Sequence, residues 1–258
     1  MDTRIASVNG IELAYVRLGK GTPLVLVHGF PLEGRCWSAV APLLAEHFDV
    51  IVPDLRGFGR STVTAGEFTM ADLAGDLAAL LDHLGIDRAA IAGHSMGGYV
   101  ALAFARAMPH RLAGLALVSS QAAADSPERQ AGRHQTADAV AAQGVAVVAD
   151  AMATKLTAVP ELQASLRELM LRQRPAGVIA ALRAMAARED STALLGALAC
   201  PLVLIHGDAD VLIPAERARE AMAAQPAASL TLLPGFGHMP MNEAPEAVAE
   251  ALRALSGN

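Results

Sequence analysis

Gly93-His94-Ser95-Met96-Gly97-Gly98 joins a short apolar run, Ala89 to Ala92, to a stretch of helical period, Met96 to Met108. A serine between glycines at such a junction reads as a nucleophile on a sharp turn. The chain must reverse from strand to helix, so residues two positions to either side have no room for a side chain. The turn presents the hydroxyl oxygen at a helix N-terminus, where free N–H groups and the dipole favour developing negative charge. Such a serine needs a general base, and the base needs an acid to orient it. Both follow in the sequence. Asp208 and Asp210 close the apolar run Leu202 to Ile205, and either has the position of the acid. His238 follows the last run, Leu230 to Leu233, and precedes Asn242-Glu243-Ala244-Pro245, a start signal for a final helix.

Acyl transfer also needs two N–H donors aimed at an oxyanion. Met96, next after the nucleophile, supplies one. The loop His28-Gly29-Phe30-Pro31, after an early strand, supplies the other at Phe30. His28 is read as shaping that loop. Cys36 and Trp37 follow the loop closely, and Trp37 is expected at the pocket with Pro31 and with Met239, the neighbour of His238. Cys36 is read as lining the pocket entrance or, the more common case, as a simple buried thiol.

The elements that must position these residues are legible as an alternation. Leu24 to Val27, Val50 to Val52, Ala89 to Ala92, Gly114 to Val118 and Leu202 to Ile205 are continuous apolar runs, as expected of strands covered on both faces. Trp37 to Glu46, Met70 to Leu84, Met96 to Met108, Ala215 to Ala224 and Pro245 to Leu255 are helix candidates. Strand then helix, repeated, predicts an α/β fold with a mostly parallel sheet. Asn9-Gly10, inside Ile5 to Leu18, signals a hairpin, so an antiparallel pair should open the sheet. From about Ala122 to Asp190 the alternation stops, and Pro127, Gly144, Pro160 and Pro175 punctuate three or four helices. These are read as a helical cap, residues 122–189, inserted into a core of residues 1–121 and 190–258.

Composition bounds the reading. The chain has 258 residues, 53% hydrophobic and 18% charged, with a formal net charge of −6. That suits one large folded core, and the acidic balance argues against nucleic acid or an anionic membrane as partner. No apolar run reaches the ~18 residues of a membrane span. The start, Met1-Asp2-Thr3-Arg4, has no apolar region behind a basic start, so no signal peptide is expected, and two cysteines make no disulfide framework. A cytoplasmic location is expected, with no cofactor and no metal; oligomeric state is left open.

His28 to Pro31, Pro53-Asp54-Leu55-Arg56-Gly57-Phe58-Gly59-Arg60-Ser61, Gly93 to Gly98, Gly207 to Asp210 and Gly237-His238 together resemble the α/β-hydrolase superfamily over nearly the whole chain. The resemblance implies an α/β-hydrolase fold, with an eight-stranded, mostly parallel sheet flanked by helices and an all-helical cap after the sixth strand. It implies Ser95, Asp210 and His238 as the catalytic triad, choosing Asp210 over Asp208, and makes the Asp54 to Ser61 segment a structural loop. It argues against dehalogenases and epoxide hydrolases, which carry Asp where Ser95 stands. Within the superfamily the chain looks most like small-cap carboxylesterases, cofactor-free haloperoxidase or perhydrolase-like enzymes and enol-lactonase-like enzymes.

The expected partner is then a small-molecule ester of short to medium acyl chain. Pro31 suggests side perhydrolysis, in which hydrogen peroxide accepts the acyl group. The rival readings are a lactone or C–C bond hydrolase, a proline-type aminopeptidase holding a substrate ammonium on Glu128, Asp138, Asp150, Glu161 or Glu168, and a receptor that retains the triad. The segment Gln121 to Asp190 carries eight acidic and eight basic side chains, so no steering of a charged substrate is expected from it. All nine aromatic residues lie outside it, which predicts an aliphatic ceiling with Met152, Met170 and Met185 as adaptable packers.

Overall fold

The computed structural model of the protein describes residues 2–64 and 66–256. Eight strands form one sheet: β1 (Arg4–Val8), β2 (Ile11–Gly19), β3 (Thr22–Val27), β4 (Phe48–Pro53), β5 (Ala89–His94), β6 (Leu112–Val118), β7 (Leu202–Gly207) and β8 (Ser229–Leu233). Their spatial order is β1-β2-β4-β3-β5-β6-β7-β8. β2 runs antiparallel to both its neighbours, β1 and β4, and the other pairs are parallel. The β1–β2 hairpin turns on Asn9 and Gly10, whose φ values of 49° and 75° suit a two-residue turn.

The central strands alternate their side chains between two cores. Val25 and Val27 of β3 enter one, with Ile51, Ile91, Leu115 and Leu204. Leu24 and Leu26 enter the other, with Val50, Val52, Ala92 and Ile205. Both sets are apolar because both faces are covered, which is why these strands read as unbroken runs. The first face is covered by α2 (Met70–His83), α3 (Met96–Ala107) and α9 (Glu216–Ala224). The second is covered by α1 (Ala41–Leu44) and α11 (Pro245–Leu252). α2 begins with a capping box, in which Thr69 and Asp72 satisfy each other's backbone N–H. The helix expected from Trp37 to Glu46 is instead a 3-10 turn, Gly34–Trp37, followed by the four residues of α1.

Between β6 and β7 the described residues form helices and no strand: α4 (Pro127–Gln143), α5 (Ala146–Leu156), α6 (Pro160–Leu171), α7 (Pro175–Ala186) and the short α8 (Thr192–Gly196). Prolines stand at the first turns of α4, α6 and α7, where a missing N–H costs nothing. α4 packs on α7 and α5 on α6. The short α10 (Pro240–Glu243) leads into α11. No helix among the described residues is long and apolar enough to cross a membrane.

Candidate active site

The sheet's connectivity reverses direction between β3 and β5, which are neighbours in space. In an open α/β sheet such a switch point opens a crevice at the strands' carboxyl ends. Phe30 follows β3, Ser95 follows β5, Asp210 follows β7 and His238 follows β8, so one end of the sheet gathers all four.

Ser95 sits at the strand-to-helix reversal with φ 50° and ψ −115°, a conformation rarely adopted by L residues. Its N–H donates to the Val118 carbonyl at 2.9 Å, and its own carbonyl accepts from the Ser120 hydroxyl at 2.8 Å and the Gly98 N–H at 2.9 Å. These contacts hold the strain. A Cβ on Gly97 would stand 2.4 Å from the Val27 carbonyl oxygen, and one on Gly93 would stand 2.2 Å from that of Gly97. The reversal therefore requires glycine at both positions. The Ser95 side chain does not cap α3, leaving its oxygen on the wall of a cavity of about 560 Å³.

His238 lines the same cavity and is otherwise buried. Its Nδ1–H donates to Asp210 Oδ2 at 2.7 Å. Asp210 Oδ1 accepts from the N–H groups of Leu212 at 2.9 Å and Ile213 at 3.0 Å. Burial alone would raise this carboxyl's pKa, but His238, His206 and the Ile213 N–H outweigh burial and hold it well below the usual carboxylate range. Asp208, the alternative left open by spacing, is exposed and accepts from the Gly235 N–H instead.

Phe30 reaches the cavity wall, and Met96 is fully buried at the first turn of α3. Among the described residues neither N–H is taken by a backbone acceptor. The Phe30 loop is held by His28, whose Nδ1–H donates to the Gly29 carbonyl at 3.0 Å while Nε2 accepts from the Leu55 N–H at 2.9 Å. Both ring nitrogens are occupied by backbone, so His28 ties this loop to the Asp54 to Ser61 segment. Burial lowers its pKa and keeps it neutral.

Three expected pocket residues are not on the cavity wall. Trp37 is fully buried among Leu24, Val40 and Leu44, because the 3-10 turn directs it to the opposite face of the sheet. Met239 joins the same core: next to His238, its side chain leaves on the opposite side of the chain. Pro31 is buried beside Phe30 and does not line the cavity either. Cys36 is a buried thiol whose pKa burial pushes up.

The cavity's far wall is not purely aliphatic. Helices α4 and α5 contribute Arg129, Arg133, Thr136 and Lys155 alongside Val148 and Met152. Met170 is fully buried elsewhere. None of Glu128, Asp138, Asp150, Glu161 and Glu168 lines the cavity, which removes the carboxylate that an ammonium-binding aminopeptidase site needs. Composition of the insert gives no sign of this, since it counts side chains without saying which face of each helix turns inward.

The sequence matches the family model for the alpha/beta hydrolase fold over residues 22–245. The chain belongs to the alpha/beta hydrolase family. It is accordingly a hydrolytic enzyme, with relatives of several chemistries. A solved thermophilic esterase from Thermogutta terrifontis, described as malate-bound, superposes with a TM-score of 0.93 at 39% identity, covering all of both chains. The enol-lactonase from Burkholderia xenovorans LB400 gives 0.90 at 27% identity, over 98% of this chain and 99% of that one. A Pseudomonas putida protein named as the dihydrolipoyllysine-residue acetyltransferase component of an acetoin cleaving system is 36% identical over 267 residues, 97% of this chain and 68% of that protein.

Three further residues of this hydrolase hold the site, and sequence reasoning passed over them. His94, the second residue of the Gly93 to Gly98 motif, donates from Nε2 to the His238 carbonyl at 2.9 Å, and the two rings lie 4.9 Å apart. Burial, then the neighbouring His238, pushes the His94 pKa down to about 3. His206 donates from Nε2 to the Ile213 carbonyl at 2.7 Å and lies 3.4 Å from Asp210 Oδ2. Glu243 accepts from the Gly237 N–H at 2.7 Å and from the Thr157 hydroxyl, while the His238 N–H donates to the Leu156 carbonyl at 2.9 Å. The end of α5 therefore braces the His238 loop. A histidine inside the elbow motif and a glutamate six residues after Gly237 were the available signals, but only the folded contacts give them roles.

Proposed function

We propose that this hydrolase cleaves carboxylic esters of short to medium acyl chain through an acyl-enzyme. The observation that carries the reading is the Asp210–His238 hydrogen bond at 2.7 Å, with His238 and the strained Ser95 on one cavity wall. His238 takes the proton of Ser95 as the hydroxyl oxygen attacks the ester carbonyl. Asp210 keeps the imidazole in the Nδ1–H tautomer and stabilises its cation. The N–H groups of Phe30 and Met96 receive the oxyanion. His238 then protonates the departing alcohol, and water, deprotonated by His238, attacks the acyl-enzyme to release the acid. Esterase and lactonase relatives of the same fold support hydrolysis at an acyl carbon. The volume of about 560 Å³ suits a small substrate.

The test is a p-nitrophenyl ester series from acetate to palmitate, run beside lactones and peracid formation. Turnover should peak between acetate and hexanoate. Ser95→Ala should lose at least about 10⁴-fold in kcat with its fold intact by circular dichroism, and a fluorophosphonate should label only the parent. A peak at C12 or beyond refutes the short-acyl reading, and a lactone preference moves the substrate to the cyclic ester. Labelling without turnover of any ester would favour a receptor.

A further inference from the structure

We propose that the preferred ester carries a carboxylate at the far end of an aliphatic acyl arm, received by Lys155 and Arg129. This inference rests on the ester-hydrolase reading above and names its substrate class.

The helical insert is electrically neutral by count, but the balance is not spread evenly over its faces. Arg129, Arg133 and Lys155 line the cavity, and among the described residues on that wall there is no Asp or Glu. Spacing explains how the bases come to one side. Arg129, Arg133 and Thr136 fall at i, i+4 and i+7 on α4, and Val148, Met152 and Lys155 repeat that spacing on α5.

The three cations are not equivalent. Arg133 is held by Asp125, a carboxylate with no exposed side-chain surface that also pairs with Arg188 at 2.9 Å. Arg188 in turn lies over the Tyr99 ring at 3.9 Å. This cluster ties α4 and the end of α7 to α3, and the charge of Arg133 is spent inside it. Arg129 is only 3.4 Å from Asp125, already shared by two other arginines, and its side chain is 40% exposed. Lys155 makes no ion pair among the described residues. The cavity therefore holds an excess of positive charge on the insert side.

Val148, Met152, Leu182 and Met185 also line this cavity, beside Ser95, the unpaired Lys155 and Arg129, whose contacts to Asp125 and the Leu212 carbonyl are long at 3.4 Å each. A short polymethylene chain can lie along them with its ester at Ser95 and its free carboxylate at the rim. The methylenes lose contact with water against apolar walls, and the carboxylate exchanges hydration for charge-assisted hydrogen bonds. An ammonium at the same place would meet repulsion. The bland alternative is that Lys155 merely sits in the last turn of α5, where a cation favours the helix dipole. That role stabilises the helix but does not rank substrates by charge.

Three esters of matched arm length separate the two roles: monoethyl adipate, diethyl adipate and ethyl 6-aminohexanoate. At low ionic strength kcat/KM should fall in that order, with the monoanion ahead of the neutral diester by about tenfold, a moderate figure because the rim is open to solvent. Raising salt to about 0.5 M should compress the order, since screening weakens exposed charge pairs. The double variant Lys155→Gln/Arg129→Gln should cut the monoanion-to-diester ratio at least fivefold. Arg167→Gln, an exposed arginine outside the cavity, should leave the ratio alone. Diester turnover equal to or above that of the monoanion in the parent overturns the proposal. So does an unchanged ratio in the double variant. No turnover of any of the three overturns the ester reading itself, and this one with it.

Discussion

The floor and the roof of the cavity obey different rules. The floor is made of loops at strand ends: Phe30 after β3, Ser95 after β5, Asp210 after β7 and His238 after β8. Hydrogen-bonded strands fix those ends to within a fraction of a residue, so the order of residues in the chain nearly determines where the side chains meet. The roof is made of helices packed on one another and on the sheet's rim. There the sequence determines that helices form, while packing decides which residues look down. On the proposed function, the floor would carry the reaction and the roof the choice of substrate.

The sharpest way to break this division is at Asp210. Asp210→Asn keeps the shape of the side chain but removes the charge that fixes the His238 tautomer, and kcat should fall on the order of 10³–10⁴-fold. Asp208→Asn, two residues away and exposed, should stay within about twofold. Steady-state kinetics on one short ester measures both. Equal losses would mean that the floor is less strictly positioned than its geometry implies.

Glu243→Gln probes the seam between the two regions. Its carboxylate accepts from Gly237 of the floor and from Thr157 beyond the end of α5. A neutral amide keeps an acceptor but loses the charge-assisted strength, about half of each bond. A fall of about tenfold in kcat with little change in KM is expected, since the His238 loop loosens while the acyl pocket keeps its walls. A rise in KM alone would instead place Glu243 with the roof.

Met185→Ala should act on selection more than on rate. Met185 is 2% exposed on α7 and lines the cavity. Its truncation should cost about 2 kcal/mol of stability, at the low end for a buried methionine because the site borders open space. Acetate turnover should change by about threefold or less, while the preferred acyl chain lengthens by a few carbons. An unchanged chain-length profile in the p-nitrophenyl series would show that α7 is scaffolding and not specificity.

The contrast also explains what was legible in the sequence. Gly93, Ser95 and Gly97 announce themselves because a strained turn leaves so few residue choices, and the strands read cleanly because both of their faces are apolar. Trp37 and Met239 were misplaced for a physical reason. Nearness in sequence to a site residue says nothing about the side of the chain on which a neighbour emerges, and in extended or turning backbone consecutive side chains diverge. The inward bases of α4 and α5 were invisible in a neutral total. Eight acids and eight bases look balanced until packing leaves Lys155 without a carboxylate partner among the described residues and has three arginines, Arg129 among them, share the single buried Asp125.

The smallest expected change at neutral pH concerns acid stability, where floor and roof separate again. His94 and His28 lie in the floor, are fully buried, and have pKa values lowered by burial. In the unfolded chain each takes up a proton below about pH 6.5. In the folded state His94 does so only near pH 3. Between those values the unfolded chain binds more protons, so stability rises with pH and is lost as pH falls from about 6.5. Each such histidine adds up to about 1.4 kcal/mol per pH unit across its window. Asp210, with its depressed pKa, adds to the loss only further down, from the ordinary carboxylate range downward. Melting temperature should therefore drop steadily from pH 6.5 to 4.5, before most carboxylates protonate. His94→Gln keeps an N–H donor for the His238 carbonyl but cannot take up a proton. Its slope over that interval should be shallower than the parent's, with His28 supplying what remains. An identical slope in the variant would assign the acid sensitivity to groups outside the floor.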